Sequence, residues 1–427
     1  MRLKIKKGKH LLLVGDLHLR VLSGSVEIFG AEFKTNDNVY IERLTSAPLV
    51  ATQESDIEID FGEEGYVAES KIKLIPEEWK KAVEIIRELP KGSKIFVCAN
   101  VDAGKSGFIC YVANKIVSEN KKVAVIGADT GQSEMNPPTT IGLAFVEKPI
   151  THMSNLNYTT AWFVGSTSPA GMLERSIVGV IRMIDEALKK DPDIIIINTT
   201  GWVHNGGGRE LKEIKLIAVD PDFVVILEKE PGELSYIYNI LEKTDRKFVV
   251  IPAAPRLRSR SRDERRKLRS LYYEREFRNA KEIRLAVDEV AFLFSYFGTG
   301  VPLTAEELLS VVNILGFSPE YIERTHDYVI IVTSKQISEE KIESLSKSLG
   351  ISVKVIEPDF FENIIVGLLD ENFNTLALGI IKKFDPFTKM FTIYTRAEQK
   401  EIKIIAFGRI KVNLNFEEIG WLEPWSF

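Results

Sequence analysis

The sequence predicts an α/β protein. A parallel sheet with helices on both faces is flanked by a small N-terminal all-β domain and a small C-terminal α+β or β-barrel-like domain. Three observations predict it. From residue 94 to residue 251, short apolar β-branched runs alternate with segments of helical period. Before residue 75, short strands are punctuated by glycine, and after residue 300 strands dominate again. At 427 residues the chain exceeds one ordinary core, and the expected division is 1–75, 76–299 and 300–427.

Each element has its own signal. In LLLVGDLHLRVLSGSVEIFGAEF (residues 11–33), Gly15, Gly24 and Gly30 separate strand-length apolar stretches, which suits a sandwich or barrel. Pro76 opens a helix in which Trp79, Val83 and Ile86 share a face. A strand over 94–99 leads through a loop to a helix over 106–119, with Ile109, Val112 and Ile116 aligned. A second strand, 122–127, ends in ADTGQ, and a helix over 174–189 aligns Ile177, Ile181, Ile184 and Leu188. The runs 194–197, 223–227 and 248–251 read as strands buried on both faces. Beyond residue 300 the signals are one helix (338–349) and strands such as 364–369 and 403–407, with no recognisable chemistry.

Composition excludes several classes. A chain 44% hydrophobic and 27% charged is neither disordered nor a membrane protein. No apolar stretch reaches the ~18 residues a bilayer requires. The basic start MRLKIKKGKH is followed by alternating residues, so no secretory leader is expected. Cys98 and Cys110 have neither metal-ligand nor disulfide spacing, which fits a reducing cytoplasm. The net charge of −5 confines any nucleic-acid site to a local basic patch. Abundant Lys, Glu and Ile with little Gln is a bias met in heat-adapted proteins.

Residues 99–106, ANVDAGKS, form a phosphate-binding loop in all but the first glycine. With a strand before it and a helix after it, the sheet becomes one of P-loop NTPase type. Ala99, Asn100, Val101, Asp102, Ala103, Gly104, Lys105, Ser106 and Gly107 are the expected nucleotide cradle. Its backbone N–H groups surround the phosphates, Lys105 reaches the outer ones and Ser106 ligates a metal ion. Ala99 departs from the usual glycine. Asp129, at the carboxyl end of the second strand, reads equally as an acid–base group or as the cap of a tight turn, and Gln132 lies three residues on. Where many P-loop enzymes hold a metal-directing aspartate, NTTGW (198–202) has Asn198, which shifts the acidic role toward Asp129. Trp202 is core or a stacking platform, and the hydroxyls of GSTSP (165–169) cap a turn or pin an acceptor strand.

Residues 256–278, RLRSRSRDERRKLRSLYYEREFR, hold ten Lys or Arg, nine of them Arg, against four acids. A solvated helix face does not require that bias. A phosphate-gripping lid or nucleic-acid clamp does.

Together these pieces resemble the polynucleotide 5′-hydroxyl kinases related to the cleavage-factor subunit of mRNA 3′-end processing. SGSVEIFGAEF, DAGKS, DTGQ, GSTSP, NTTGW and RSRDERRKLR follow in that family's order. The resemblance implies transfer of the γ-phosphoryl group of ATP, with Mg²⁺ or another divalent cation, to the 5′-hydroxyl end of RNA or DNA. It implies Lys105 and Ser106 on the phosphates and metal, Asp129 activating the hydroxyl, and Gln132, Thr167 and Trp202 on the acceptor strand. Arg260, Arg265 and Arg269 match the lid by their spacing. Protein partners in RNA processing are a further expectation. A catalytically weak ATP-binding scaffold is the alternative, and a GTPase or small-molecule kinase a third reading. The chain shows no NKxD-type guanine motif.

Overall fold

The computed structural model describes residues 1–255 and 261–427. They form two compact units, Met1–Trp162 with Ser168–Arg269, and Phe163–Thr167 with Ser270–Phe427.

The first unit begins with two antiparallel sheets of four and five strands between Arg2 and Ser70. Alternation builds them. In the strand Leu17–Ser23, Leu17, Leu19 and Val21 are buried while His18 and Arg20 face water. The inward residues join a single apolar cluster that continues into the P-loop region, from Leu13, Leu49 and Ile59 through Trp79 to Ile95 and Phe108. Helix α1 (Glu77–Arg87) follows Pro76. Its buried face is Trp79, Ala82, Val83 and Ile86, and Glu77 and Glu78 favour its positive end.

Seven strands form the central sheet: β1 (Ser93–Ala99), β2 (Val123–Ala128), β3 (Thr140–Val146), β4 (Tyr158–Phe163), β5 (Ile194–Thr199), β6 (Phe223–Glu228) and β7 (Phe248–Pro252). Their order is β4-β3-β2-β5-β1-β6-β7. The pairs β2–β5, β5–β1, β1–β6 and β6–β7 are parallel, as expected. β3 is antiparallel to β2, so the sheet is mixed. The cause is local, because 129–139 contain no helix and a parallel crossover requires a dozen or more residues, usually helical. The accompanying helices are α2 (Lys105–Val117), α3 (Leu173–Leu188), α4 (Asn205–Val219), α5 (Ser235–Lys243) and α6 (Arg262–Glu276), the last continuing into the second unit. Asn114 of α2 is buried and satisfied on both sides of its amide. It donates to Phe29 O and Ile150 O at 2.8 Å each and accepts from Ile150 N at 2.8 Å. That anchors the N-terminal strands to the P-loop helix.

The second unit holds a seven-stranded sheet and a separate three-stranded sheet. The latter is packed against α7 (Ala305–Leu315) and α8 (Glu339–Leu349). α8 is the helix read from the sequence. α7 was not anticipated, although Thr304 and Glu307 form a reciprocal capping box at its start.

Candidate active site

Ala99 is the last residue of β1, paired with Leu227 and wholly buried. Its methyl group belongs to the apolar core, so the missing glycine places no side chain in the phosphate cradle. The conformational demand falls further along. Asp102 (φ 58°) and Gly104 (φ 84°) are left-handed, and a Cβ on Gly104 would lie 3.0 Å from Ala254 Cβ. Gly104 then starts α2, with Lys105 and Ser106 in its first turn. Lys105 Nζ donates to Ala99 O and Asn100 O at 3.2 Å each. Burial pushes its pKa down, and the charge of Asp129 opposes that shift.

The loop is braced from outside. Asn100 Nδ2 donates to Glu233 Oε1 at 2.5 Å and lies 2.9 Å from His204 Nε2. Asn100 Oδ1 accepts from Val101 N at 2.7 Å, and Lys229 Nζ donates to Val101 O.

One cavity gathers residues 101–107, Asp129, Gln132, Asn198 and Gly201, with Phe29, Leu74 and Trp79 on a further wall. Both readings of Asp129 hold geometrically. Its Oδ1 accepts from Gly131 N (3.1 Å) and Gln132 N (3.0 Å), forming a tight turn, and the same carboxyl group lines the cavity with Lys105 and Ser106. Gly201 lies against the loop, since a Cβ there would come within 2.9 Å of Val101 main-chain atoms. Trp202 is half-buried, its indole resting on Gly207 and Gly208 of α4.

From the arginine-rich segment, Arg265 Nη2 pairs with Asp102 Oδ2 at 2.8 Å, which brings α6 onto the phosphate loop. Arg269 is one turn further along α6. Arg260 lies outside the described residues. Thr167 belongs to the second unit.

Several residues at this site were not anticipated. Glu134 and His152 face the same cavity, with His152 Nε2 3.3 Å from Glu134 Oε1. Lys212 and Lys215 of α4 are fully enclosed. Glu134 and His152 are too far apart in sequence for any spacing to mark them, and two lysines three apart on a helix ordinarily belong to its solvated face.

For a divalent cation, the donors are oxygens, with Ser106, Asp129 and Asn198 all lining the cavity. Asn198 Oδ1 is buried and has no hydrogen-bond partner among the described residues. No cluster of three metal-ligating side chains occurs among the described residues. The oxygen donors Ser106, Asp129 and Asn198 suit a hard cation such as Mg²⁺, which keeps much of its water and takes one or two protein ligands plus substrate phosphates.

The strand–loop–helix, with the loops that close one cavity around it, defines a P-loop protein of the kinase class. The family model described as the mRNA cleavage and polyadenylation factor CLP1 P-loop matches residues 99–279. A polyribonucleotide 5′-hydroxyl-kinase of Pyrococcus furiosus is 33% identical over 350 residues, covering 82% of this chain and 96% of that protein. One of Methanocaldococcus jannaschii is 31% identical, covering 82% and 95%. The fold of wild-type Clp1p in its complex with Pcf11p superposes with a TM-score of 0.63 at 13% identity, over 96% of this chain and 97% of that one. The chain belongs to the CLP1-type family of polyribonucleotide 5′-hydroxyl kinases, and the P-loop kinase family implies use of ATP.

Proposed function

We propose that the protein transfers the γ-phosphoryl group of ATP to the 5′-hydroxyl of RNA. The observation that carries this reading is the single cavity in which the phosphate loop, Lys105 and Ser106 face Asp129 and Gln132. Phosphoryl transfer asks a protein for positioning and charge neutralisation rather than covalent chemistry.

In this reading the main-chain N–H groups of 101–107 and the positive end of α2 bind the phosphates, and Lys105 swings from its carbonyl partners to the outer ones. Ser106 would hold Mg²⁺, which when bound would supply neutralising charge on the phosphates. Asp129 accepts the proton of the attacking 5′-hydroxyl, and Gln132 orients that group. Arg265 exchanges Asp102 for phosphate as charge develops, with Arg260 and Arg269 in the same service. Trp202 stacks on the terminal base and Thr167 holds the acceptor strand. A single stack contributes on the order of 1–3 kcal/mol and tolerates any base, so the enzyme reads an end rather than a sequence.

The test is label transfer from γ-labelled ATP with Mg²⁺ to 5′-hydroxyl oligonucleotides, over temperatures up to a thermophilic range. Labelled oligoribonucleotide is expected, and a deoxyribonucleotide arm decides whether DNA is accepted. No transfer at any temperature would sink the proposal.

A further inference from the structure

Helix α4 carries two lysines that the proposed reaction does not use. Lys212 and Lys215 are each 1% exposed. Three residues apart on a helix, they leave the same face. Both reach carboxyl ends of strands. Lys212 Nζ donates to Thr200 O, just past β5, and Lys215 Nζ lies 3.5 Å from Ala128 O, the last residue of β2. Thr200 leads into Gly201 and Trp202, and Ala128 leads into Asp129. The first turn of the same helix seats the Trp202 indole. A Cβ on Gly207 would come within 2.8 Å of the ring, and one on Gly208 within 3.1 Å.

Enclosing two ammonium groups is unfavourable. Their ammonium groups meet main-chain carbonyls, a neutral and weaker compensation than a paired carboxylate. Burial pushes Lys212 down to about 7 and Lys215 to about 8, and Asp129 is the carboxylate whose charge counters the shift in both. An apolar side chain of the same length would fill this space at lower free energy. What the lysines supply instead is a grip on two strand ends, at Thr200 and Ala128.

Resting on the kinase reading, we propose that α4 is the platform of the acceptor half. Lys212 and Lys215 are positioning residues, Lys212 holding the Thr200–Trp202 turn and Lys215 the Ala128–Asp129 strand end.

The test uses Lys212→Met, Lys215→Met, Gly207→Ala and Gly206→Ala. Thermal melting is measured for each, with kcat and KM for ATP and for a 5′-hydroxyl oligoribonucleotide. Affinity for that oligonucleotide, 3′-labelled, is read by fluorescence anisotropy with a non-hydrolysable ATP analogue. Both methionine variants are expected to melt at or above the wild-type temperature, because a buried charge has gone. Lys215→Met should lower kcat by about 10²-fold, the scale of a misplaced catalytic group, with KM for ATP within twofold. Lys212→Met and Gly207→Ala should weaken oligonucleotide binding by roughly 5–10-fold, the scale of a lost stack. Gly206→Ala should change nothing, since nothing lies within 4 Å of a Cβ there.

A fall in melting temperature that tracks the loss of activity would make the lysines merely structural and overturn the proposal. So would unchanged kinetics and binding in both methionine variants. Should either methionine variant fail to fold, Gly207→Ala still decides whether α4 positions Trp202. A wild type that binds the oligonucleotide but transfers nothing overturns the kinase reading alone, and the anisotropy series still decides the anchoring. A wild type that does neither overturns both.

Discussion

The two units bury different things. At the heart of the second, Phe297, Phe361, Phe384, Phe391 and Phe407 form a continuous aromatic cluster, with Phe384 and Phe391 4.5 Å apart and Phe297 4.9 Å from Phe361. Such rings contribute area and preferred geometry without polar atoms to satisfy. Beneath the loops of the first unit lie Lys212, Lys215, Asn198 and Thr199, all enclosed or nearly so, with Lys105 half-buried at the phosphate loop. A core whose whole task is cohesion is apolar. A core that must receive a polyanion retains charge it would be more stable without.

The sharpest way to break that comparison is to remove one large side chain from each unit. Lys105→Met should reduce phosphoryl transfer by about 10³-fold, the scale seen when a preorganised charge-stabilising donor is removed. Its melting temperature should hold or rise, since a half-buried ammonium whose pKa burial pushes down has been deleted. Phe297→Ala should do the reverse. Truncating a fully buried ring costs about 3–5 kcal/mol, while kcat/KM per folded molecule stays within twofold. Calorimetry and initial rates on the same preparations check both. A destabilised Lys105→Met variant with a proportionate loss of rate would erase the distinction.

A smaller effect follows from the direction of the lysine shifts. Lys212 faces Lys215, Lys105, Cys98 and Asp129, and burial holds its pKa near 7, well below the usual 10.5. Between about pH 7 and 10.5 the unfolded chain therefore binds more protons at this residue than the folded one does. Stability at this residue rises with pH across that window, since the slope follows the excess of protons bound by the unfolded state. The melting temperature of wild type should thus climb toward that of Lys212→Met between pH 7 and 10. A constant gap between the two would mean that Lys212 keeps an ordinary pKa in the folded protein.

Much of this site was legible in the sequence because its chemistry is local. ANVDAGKS sits within one strand–loop–helix, and DTGQ and NTTGW each follow an apolar run at the carboxyl edge of the sheet. Less legible was anything decided by pairing across long separations. Asn100 meets Glu233 across 133 residues and Arg265 meets Asp102 across 163, and no periodicity encodes either contact. β3 was missed because its direction depends on the short, helix-free link from β2. Lys212 and Lys215 were missed because lysine on a helix ordinarily belongs to its solvated face. Ala99 departs from the first glycine usual in such a loop, yet it ends a strand, and the glycine requirement lies at Gly104.

The finest test of the contrast is the Asp102–Arg265 pair, which joins the phosphate loop to the arginine-rich helix at 2.8 Å with both side chains partly exposed, 20% and 25%. An accessible pair of this kind contributes roughly 0.2–1 kcal/mol. In the kinase reading it competes with nucleotide twice, because Asp102 repels phosphate and occupies an arginine that phosphate would use. Asp102→Asn keeps a side chain of the same shape at a left-handed position that asparagine tolerates. It should therefore tighten ATP binding by about 1.4–5-fold, the same free energy expressed as a ratio. Isothermal titration with ATP and Mg²⁺ measures it, and raising the salt concentration should shrink the gap between variant and wild type. A tenfold loss of affinity would show instead that the Asp102 carboxylate helps to build the bound loop, and that Arg265 is not released by the arriving phosphate.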